Sequence, residues 1–475
     1  MREPWLLELA EALGDGQLVT DPAWLLPYAC DAYTLEQEMP RAVVLPQTGQ
    51  EVARAATILH RHGIPYLARG AGTSLSGGAT PLNQAVIIHL SRLNRILAVD
   101  VDSRVVECEP GVVNAYISRQ LAEVGGFYAP DPSSQQACTI GGNFAENSGG
   151  PHCLKYGVTI NHVLQAEVVL ADGMVVTVGN LAGAPEPLDY LGLLVGSEGT
   201  LGIVTRLWLR MLPLPKSHRT TMAWFDDVDE ASRAVSEIIA AGIIPAALEM
   251  MDALAMAAVE KGAYPVGYPA DLAAVLLIEV DGEPDAVADD SARLAEVLAH
   301  RQVRAVHHAR DEQERALWWA NRKTAFGAMG LISPSYYVQD GVIARSRLPA
   351  ALREIAAIAA RYQIRIANVF HAGDGNLHPL LLYDDRDREQ IERVRRAGSE
   401  ILAVCVRLGG TISGEHGIGI EKREDMLVQF TGEELAAQLA IKAAFDPLGV
   451  LNPGKLIPTP ARCRAESGAP VASGA

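Results

Sequence analysis

Three glycine-rich segments interrupt the first half of the chain and constrain its fold more than any other feature: RGAGTSLSGG at 69–78, TIGGNFAENSGG at 139–150 and VGSEGTLGIVT at 195–205. Glycine has no Cβ, so such stretches let backbone N–H groups approach a diphosphate closely. A single loop of this kind is usually only a turn. The first does not fit the Rossmann fingerprint, since no helix and acidic residue follow at the required distance. No Walker-type phosphate loop is present. Three such loops in one region are harder to read as turns.

Around the loops, short strand-like runs alternate with helical ones. AVVLP from Ala42, IPYLARG from Ile64, AVIIHL, RILAVD and RVVECEP read as strands, and GQEVARAATILHRHG carries apolar residues at helical spacing. NAYISRQLAEVGG reads as a helix stopped by paired glycines. The prolines of LPLPK at 212–216 break helix and sheet alike and mark a linker. Beyond it, helices such as EASRAVSEIIAAG and PAALREIAAIAARY alternate with strands such as DLAAVLLIEVDG and IRIANVF. This order predicts an α+β cap with a sheet and helices on one side. The resulting division is 1–215, 216–410, a C-terminal helix and docked tail at 411–458, and a disordered end at 459–475.

A chain of 475 residues exceeds one ordinary core. Its 49% hydrophobic and 20% charged content is that of a globular protein. A net charge of −17 argues against a nucleic-acid or anionic-membrane surface. No export signal is visible at the N-terminus, and no uncharged apolar run approaches the roughly 20 residues that span a bilayer. The six cysteines are scattered without CxxC spacing, so nothing argues for a disulfide framework or an iron–sulfur cluster, and they read as reduced thiols. The chain reads as cytoplasmic.

The chemistry concentrates in ANVFHAGDGNLHPLLLY, at 367–383. A β run ends at His371, GDGN reverses the chain, and a second run begins at His378, so a hairpin brings the two imidazoles together. Two close imidazoles make half a divalent-metal site. In GGTISGEHGIGIEK, at 409–422, Glu415 and His416 sit between glycines, and a carboxylate completes a two-histidine, one-carboxylate set with open positions. Such a set admits zinc, manganese or iron. His307, His308, His60, His62 and His300 read as surface or packing residues, and Trp318 and Trp319 as core anchors.

RGAGTSLSGG, PDPSSQQACTIGGNFAENSGGPHCLKYG and GSEGTLGIVT, in this order, resemble the FAD-binding domain of the vanillyl-alcohol oxidase/p-cresol methylhydroxylase superfamily. The likeness is strongest to the branch of D-lactate dehydrogenases, D-2-hydroxyglutarate dehydrogenase and the bacterial glycolate oxidase flavoprotein subunit, and it spans about Arg41 to Leu456. It implies an α+β fold: a two-part FAD-binding domain of that type, an α+β substrate (cap) domain and a C-terminal helical segment. It further implies that Arg69, Gly70, Gly72, Thr73, Ser74 and Gly77 hold the FAD diphosphate. Pro130, Ser134, Ile140, Gly141, Gly142 and Asn147 would continue the flavin contacts. Glu198, Gly199 and Ile203 would lie near the adenosine half, with Asn452 and Lys455 returning from the tail. FAD binding would be noncovalent, leaving His152, Cys138 and Cys153 to packing.

By the same resemblance His371, His378 and Glu415 would be metal ligands, His416 the catalytic base and Arg322 the carboxylate-binding cation, with Lys323 solvated. Phe326, Val338 and Leu380 stand where hydroxyglutarate enzymes place polar groups, and Tyr336 or Tyr337 would line the pocket. The activity implied is FAD-dependent oxidation of a small 2-hydroxy acid, glycolate or D-lactate, rather than a dicarboxylate. Electrons would pass to a partner such as an iron–sulfur subunit, alongside a second flavin subunit, peripherally at the inner membrane; a homodimer stays open. Rival readings are a D-2-hydroxyglutarate-type dehydrogenase, an oxygen-using oxidase or ether-lipid synthase of the superfamily, a non-redox metal hydrolase and a non-catalytic flavoprotein subunit.

Overall fold

The computed structural model describes residues 3–184 and 187–458. The first part of the chain carries two main sheets. In one, strands Val43–Val44, Val86–His89 and Tyr66–Arg69 lie parallel, with Leu18–Val19 antiparallel at one edge. Parallel strands need a crossover, and helix Gly49–Arg61 supplies it. Thr48 caps that helix by accepting from the Glu51 N–H, and Val52, Ala55, Ala56 and Leu59 form its buried face. The other sheet is antiparallel, in the order Ile96–Asp100, Val105–Cys108, Ile203–Arg210, Val163–Val169, Val175–Gly179.

Two local expectations are revised. The second glycine-rich segment is partly helical, since Ile140–Glu146 forms a helix ended by Asn147 in the left-handed conformation. Close packing overrides the poor helix propensity of its glycines, for a Cβ on Gly141 would lie 2.5 Å from Pro110 Cβ. Nor is LPLPK free of sheet: Leu212–Pro213 pairs antiparallel with Gly126–Phe127 in a two-stranded ribbon. Pro213 is tolerated there because neither strand has a second neighbour to which a missing N–H matters.

A seven-stranded antiparallel sheet follows, in the order Val303–His308, Ser217–Phe225, Ala274–Gly282, Ala247–Asp252, Arg365–His371, Asn376–Tyr383, Ser335–Val338. Helices cover both faces, not one. Val228–Ala240, Pro284–Ala299, Leu348–Tyr362 and Arg388–Arg407 close a core with Ala223, Leu248, Leu276 and Phe370. Ala253–Val259, Glu312–Lys323 and Ala325–Ala328 close another with Met222, Met251, Leu277 and Val369. The reason is legible in Ala274–Gly282, where every residue from Ala274 to Val280 is buried. Successive strand residues face opposite sides, so a run buried at every position demands cover on both.

Helix Gly432–Phe445 starts at a capping box of Thr431 and Glu434. The chain then returns to the first sheet, where the Asn452 N–H donates to the Tyr66 carbonyl at 2.7 Å. The expected disordered end, 459–475, lies outside the described residues. Among the described residues no helix is long and apolar enough to cross a membrane, and five cysteines are free thiols.

Candidate active site

The site begins with strand parity. In the hairpin of Arg365–His371 and Asn376–Tyr383, His371 pairs with Asn376 and Val369 with His378. The second strand starts at Asn376, two residues before the expected His378, so His378 is a diagonal neighbour of His371 on the same face. Gly375, at φ 82°, turns the chain where a Cβ would meet the Ile343 carbonyl. The two imidazoles lie 5.0 Å apart between ring centres, nearly perpendicular.

On the next strand Glu249 stands directly opposite His371. Both its carboxylate oxygens lie 2.9 Å from His371 Nδ1, so that nitrogen donates and Nε2 faces the cavity. Glu415 Oε1 sits 3.1 Å from His371 Nε2 and 3.2 Å from His378 Nε2. Burial pushes the His371 imidazole down, yet Glu249 and Glu415 on either side hold it well above its ordinary value. Burial pushes Glu415 up, and the two histidines hold it well below the usual carboxylate range. The two carboxylates thus favour a positive charge between them, carried by the imidazolium proton or by a metal ion in its place.

Two carboxylates clasp the loop that carries Glu415 and His416. Asp340 Oδ2 accepts from Ser413 Oγ at 2.6 Å and from the Gly414 and His416 N–H groups at 3.0 and 2.9 Å. Glu198 accepts from the Ile418 and Gly419 N–H groups at 2.6 and 2.8 Å. The His416 ring stacks on His378 with centres 4.7 Å apart and 16° between planes. Burial pushes the His416 imidazole down to about 4, so it is neutral at pH 7.

These groups open on a cavity of about 370 Å³ that runs back between the glycine-rich segments. Arg69, Gly70, Gly72, Thr73 and Ser74 line it, as do Ser134, Gly141 and Gly142 and, from the third segment, Glu198, Gly199 and Ile203. The lining fits a diphosphate-bearing cofactor, because glycine is required there: a Cβ on Gly72, at φ 70°, would collide with the Arg69 guanidinium, and one on Gly70 with Thr139 Oγ1. The far end fits a divalent metal. His371, His378 and Glu415 place donor atoms within 4.8 Å of one another, and neither buried ring nitrogen of His378 has a directed hydrogen-bond partner. Asp340, His378 and His416 form a second such group that shares His378.

Residues 40–179 match the FAD binding domain family, and residues 214–456, more than half the chain, match the family of FAD linked oxidases, C-terminal domain. The chain belongs to the FAD-linked oxidases. It binds FAD and is an oxidoreductase. It is 46% identical to glycolate oxidase subunit GlcD of Escherichia coli strain K12 over 98% of this chain and 93% of that protein. Identity to the same-named subunit of Bacillus subtilis strain 168 is 39%, over 96% and 97%. Identity to a D-lactate dehydrogenase of Archaeoglobus fulgidus is 33%, over 90% and 96%. In fold it is similar to p-cresol methylhydroxylase, with a TM-score of 0.79 at 18% identity over 95% of this chain and 96% of that one. A 4-ethylphenol oxidase from Gulosibacter chungangensis gives 0.78 at 18%, over 97% and 98%.

Some residues of this FAD-linked oxidase that the sequence singled out pack around the cavity rather than lining it. Gly77, Pro130, Ile140, Asn147 and Asn452 are not on the cavity wall. Gly77 packs toward Ile420, the Pro130 carbonyl accepts from Asn114, Ile140 lies in the core, the Asn147 carboxamide accepts from the Ile160 N–H, and Asn452 donates to the Gly78 and Glu198 carbonyls. Tyr337 points into the opposite core, and Tyr336 stands behind Phe326, at 6.5 Å between ring centres. Val338 and Leu380 pair with each other in the core, leaving only Phe326 of that trio on the wall, 5.8 Å from the His378 ring.

Arg322, buried at the end of helix Glu312–Lys323, lies against Glu249 and reaches the cavity with its Nε unpartnered. Lys323, on the cavity wall, is half-buried and partly solvated, and its Nζ is also 3.1 Å from Asp131. His152 is more than packing, since it is ion-paired with Asp131 at 3.0 Å. Sequence reasoning missed Glu249 and Asp340. The available signal was a lone carboxylate in an otherwise apolar strand, ALEMM, and an acid closing YYVQD.

Proposed function

We propose that this FAD-linked oxidase converts a small 2-hydroxy acid, glycolate or D-lactate, to its 2-oxo acid. One observation carries the reading: a buried arginine with a free donor and an imidazole–carboxylate cluster open on one cavity. These are the two grips that a carboxylate beside a hydroxyl requires. The names of the glycolate oxidase subunits and D-lactate dehydrogenases that resemble the chain support the same substrate class.

FAD supplies the two-electron acceptor for the hydrogen on carbon. His371, His378 and Glu415 would hold a divalent ion, which would supply Lewis acidity. Arg322 binds the carboxylate through its fork and fixes which face of the substrate is presented. His416 takes the hydroxyl proton, and its stacking on His378 holds its ring beside the cluster. Phe326 contributes a nonpolar wall that excludes water and offers no partner to a second carboxylate. The electrons pass to a partner, an iron–sulfur or second flavin subunit.

Anaerobic bleaching of the bound flavin by a panel of D- and L-2-hydroxy acids tests this. Glycolate or D-lactate should bleach it, while acids without the hydroxyl should not. No bleaching by any 2-hydroxy acid overturns the proposal. Chelation should stop turnover while FAD stays bound; undiminished turnover in verified metal-free protein removes the metal from it.

A further inference from the structure

Glu249 is not on the cavity wall, yet it touches both grips. Its oxygens lie 2.9 Å from His371 Nδ1, and Oε2 also lies against Arg322 Nη2. All three side chains are almost fully enclosed. The contacts follow from topology: Glu249 is the register partner of His371, and helix Glu312–Lys323 packs Arg322 over the same sheet face. No other carboxylate reaches Arg322 among the ion pairs of the described residues.

We propose that Glu249 is a positioning residue that couples the metal end of the site to the carboxylate end, so that each is bound more tightly when the other is filled. The proposal rests on the metal and carboxylate roles assigned above. One carboxylate shared between an imidazole N–H and a guanidinium divides a single negative charge between two partners. An incoming carboxylate that engages Arg322 weakens the ion pair between its guanidinium and Glu249. Glu249 then accepts more strongly from His371, which makes Nε2 a better metal donor. Thermodynamic reciprocity requires the converse: a metal on His371 frees Arg322 for the substrate.

The test uses the flavin-loaded full-length protein, with Zn²⁺ affinity measured by chelator competition and FAD content read from the spectrum. Glu249→Gln should weaken Zn²⁺ binding by about 10–100-fold with FAD retained. Arg322→Met should shift Zn²⁺ affinity by about five-fold or more although Arg322 holds no metal. In the Glu249→Gln background the same arginine change should have no effect. An arginine effect that persists there overturns the coupling, because it then acts through space. If Glu249→Gln does not fold, Glu249→Asp withdraws the carboxylate by one methylene. It should weaken Zn²⁺ binding and shrink the arginine effect, and full-strength values refute the role.

His371→Ala separates this from the reading beneath it. If that change leaves Zn²⁺ affinity as in the parent, the metal assignment itself fails. If it abolishes binding while Glu249→Gln does not weaken it, only the coupling fails.

Discussion

At the scale of single residues, the site divides groups that hold from the group that moves a proton. His371, His378 and Glu415 share one small volume, while His416 is stacked outside the shared oxygen. His416→Ala should therefore keep FAD and lose substrate-driven bleaching by about 10²–10⁴-fold. Stopped-flow absorbance reads both quantities, and bleaching at the parent rate removes His416 from the chemistry. The histidines and Glu415 were legible because their spacing in a hairpin and a glycine-flanked loop is local. Glu249 was not, since it lies 122 residues from His371 and only the order of strands brings them together.

At the scale of elements, local signals and packing compete. The hairpin was readable from its turn, but its register, two residues from expectation, decides which side chains share a face. The helix Ile140–Glu146 was not readable, because contact with Pro110 outweighs what two glycines cost a helix. After strand Val86–His89, the neutral His89 imidazole accepts from the Ser91 N–H and packs edge-on against Tyr28. Burial, with Arg69 nearby, pushes this histidine down to about 4. Its folded value is depressed, so its contribution to stability is complete above the unfolded value near 6.5 and is lost as pH falls toward 4. Protonation should cost about 2–3 kcal/mol over that window. His89→Asn, which keeps an acceptor, should flatten that part of the denaturation profile; an identical acid loss in parent and variant assigns it to other groups.

At the scale of the whole molecule, charged contacts tie the cofactor-binding part to the seven-stranded sheet. Asp131 meets His152 and Lys323, and Asp281 meets Lys155 and the Tyr156 hydroxyl. Asp281→Ala removes one clamp and leaves Tyr156 unpaired, which should cost about 1–3 kcal/mol and speed FAD loss on dilution. Thermal melts and flavin release check this, and unchanged values for both mean the clamp holds nothing. What the sequence alone determined is what short-range physics governs: the glycine segments that admit a diphosphate, the alternation of strand and helix, the hairpin, and the Gly-flanked Glu–His pair. What only the tertiary structure decided is what long-range packing governs: helices on both faces of the large sheet, Tyr337 turned to the core, and Glu249 seated between His371 and Arg322. Spacing along a chain encodes direction within one element. Which elements become neighbours depends on burying every apolar face at once, and that is settled only in three dimensions.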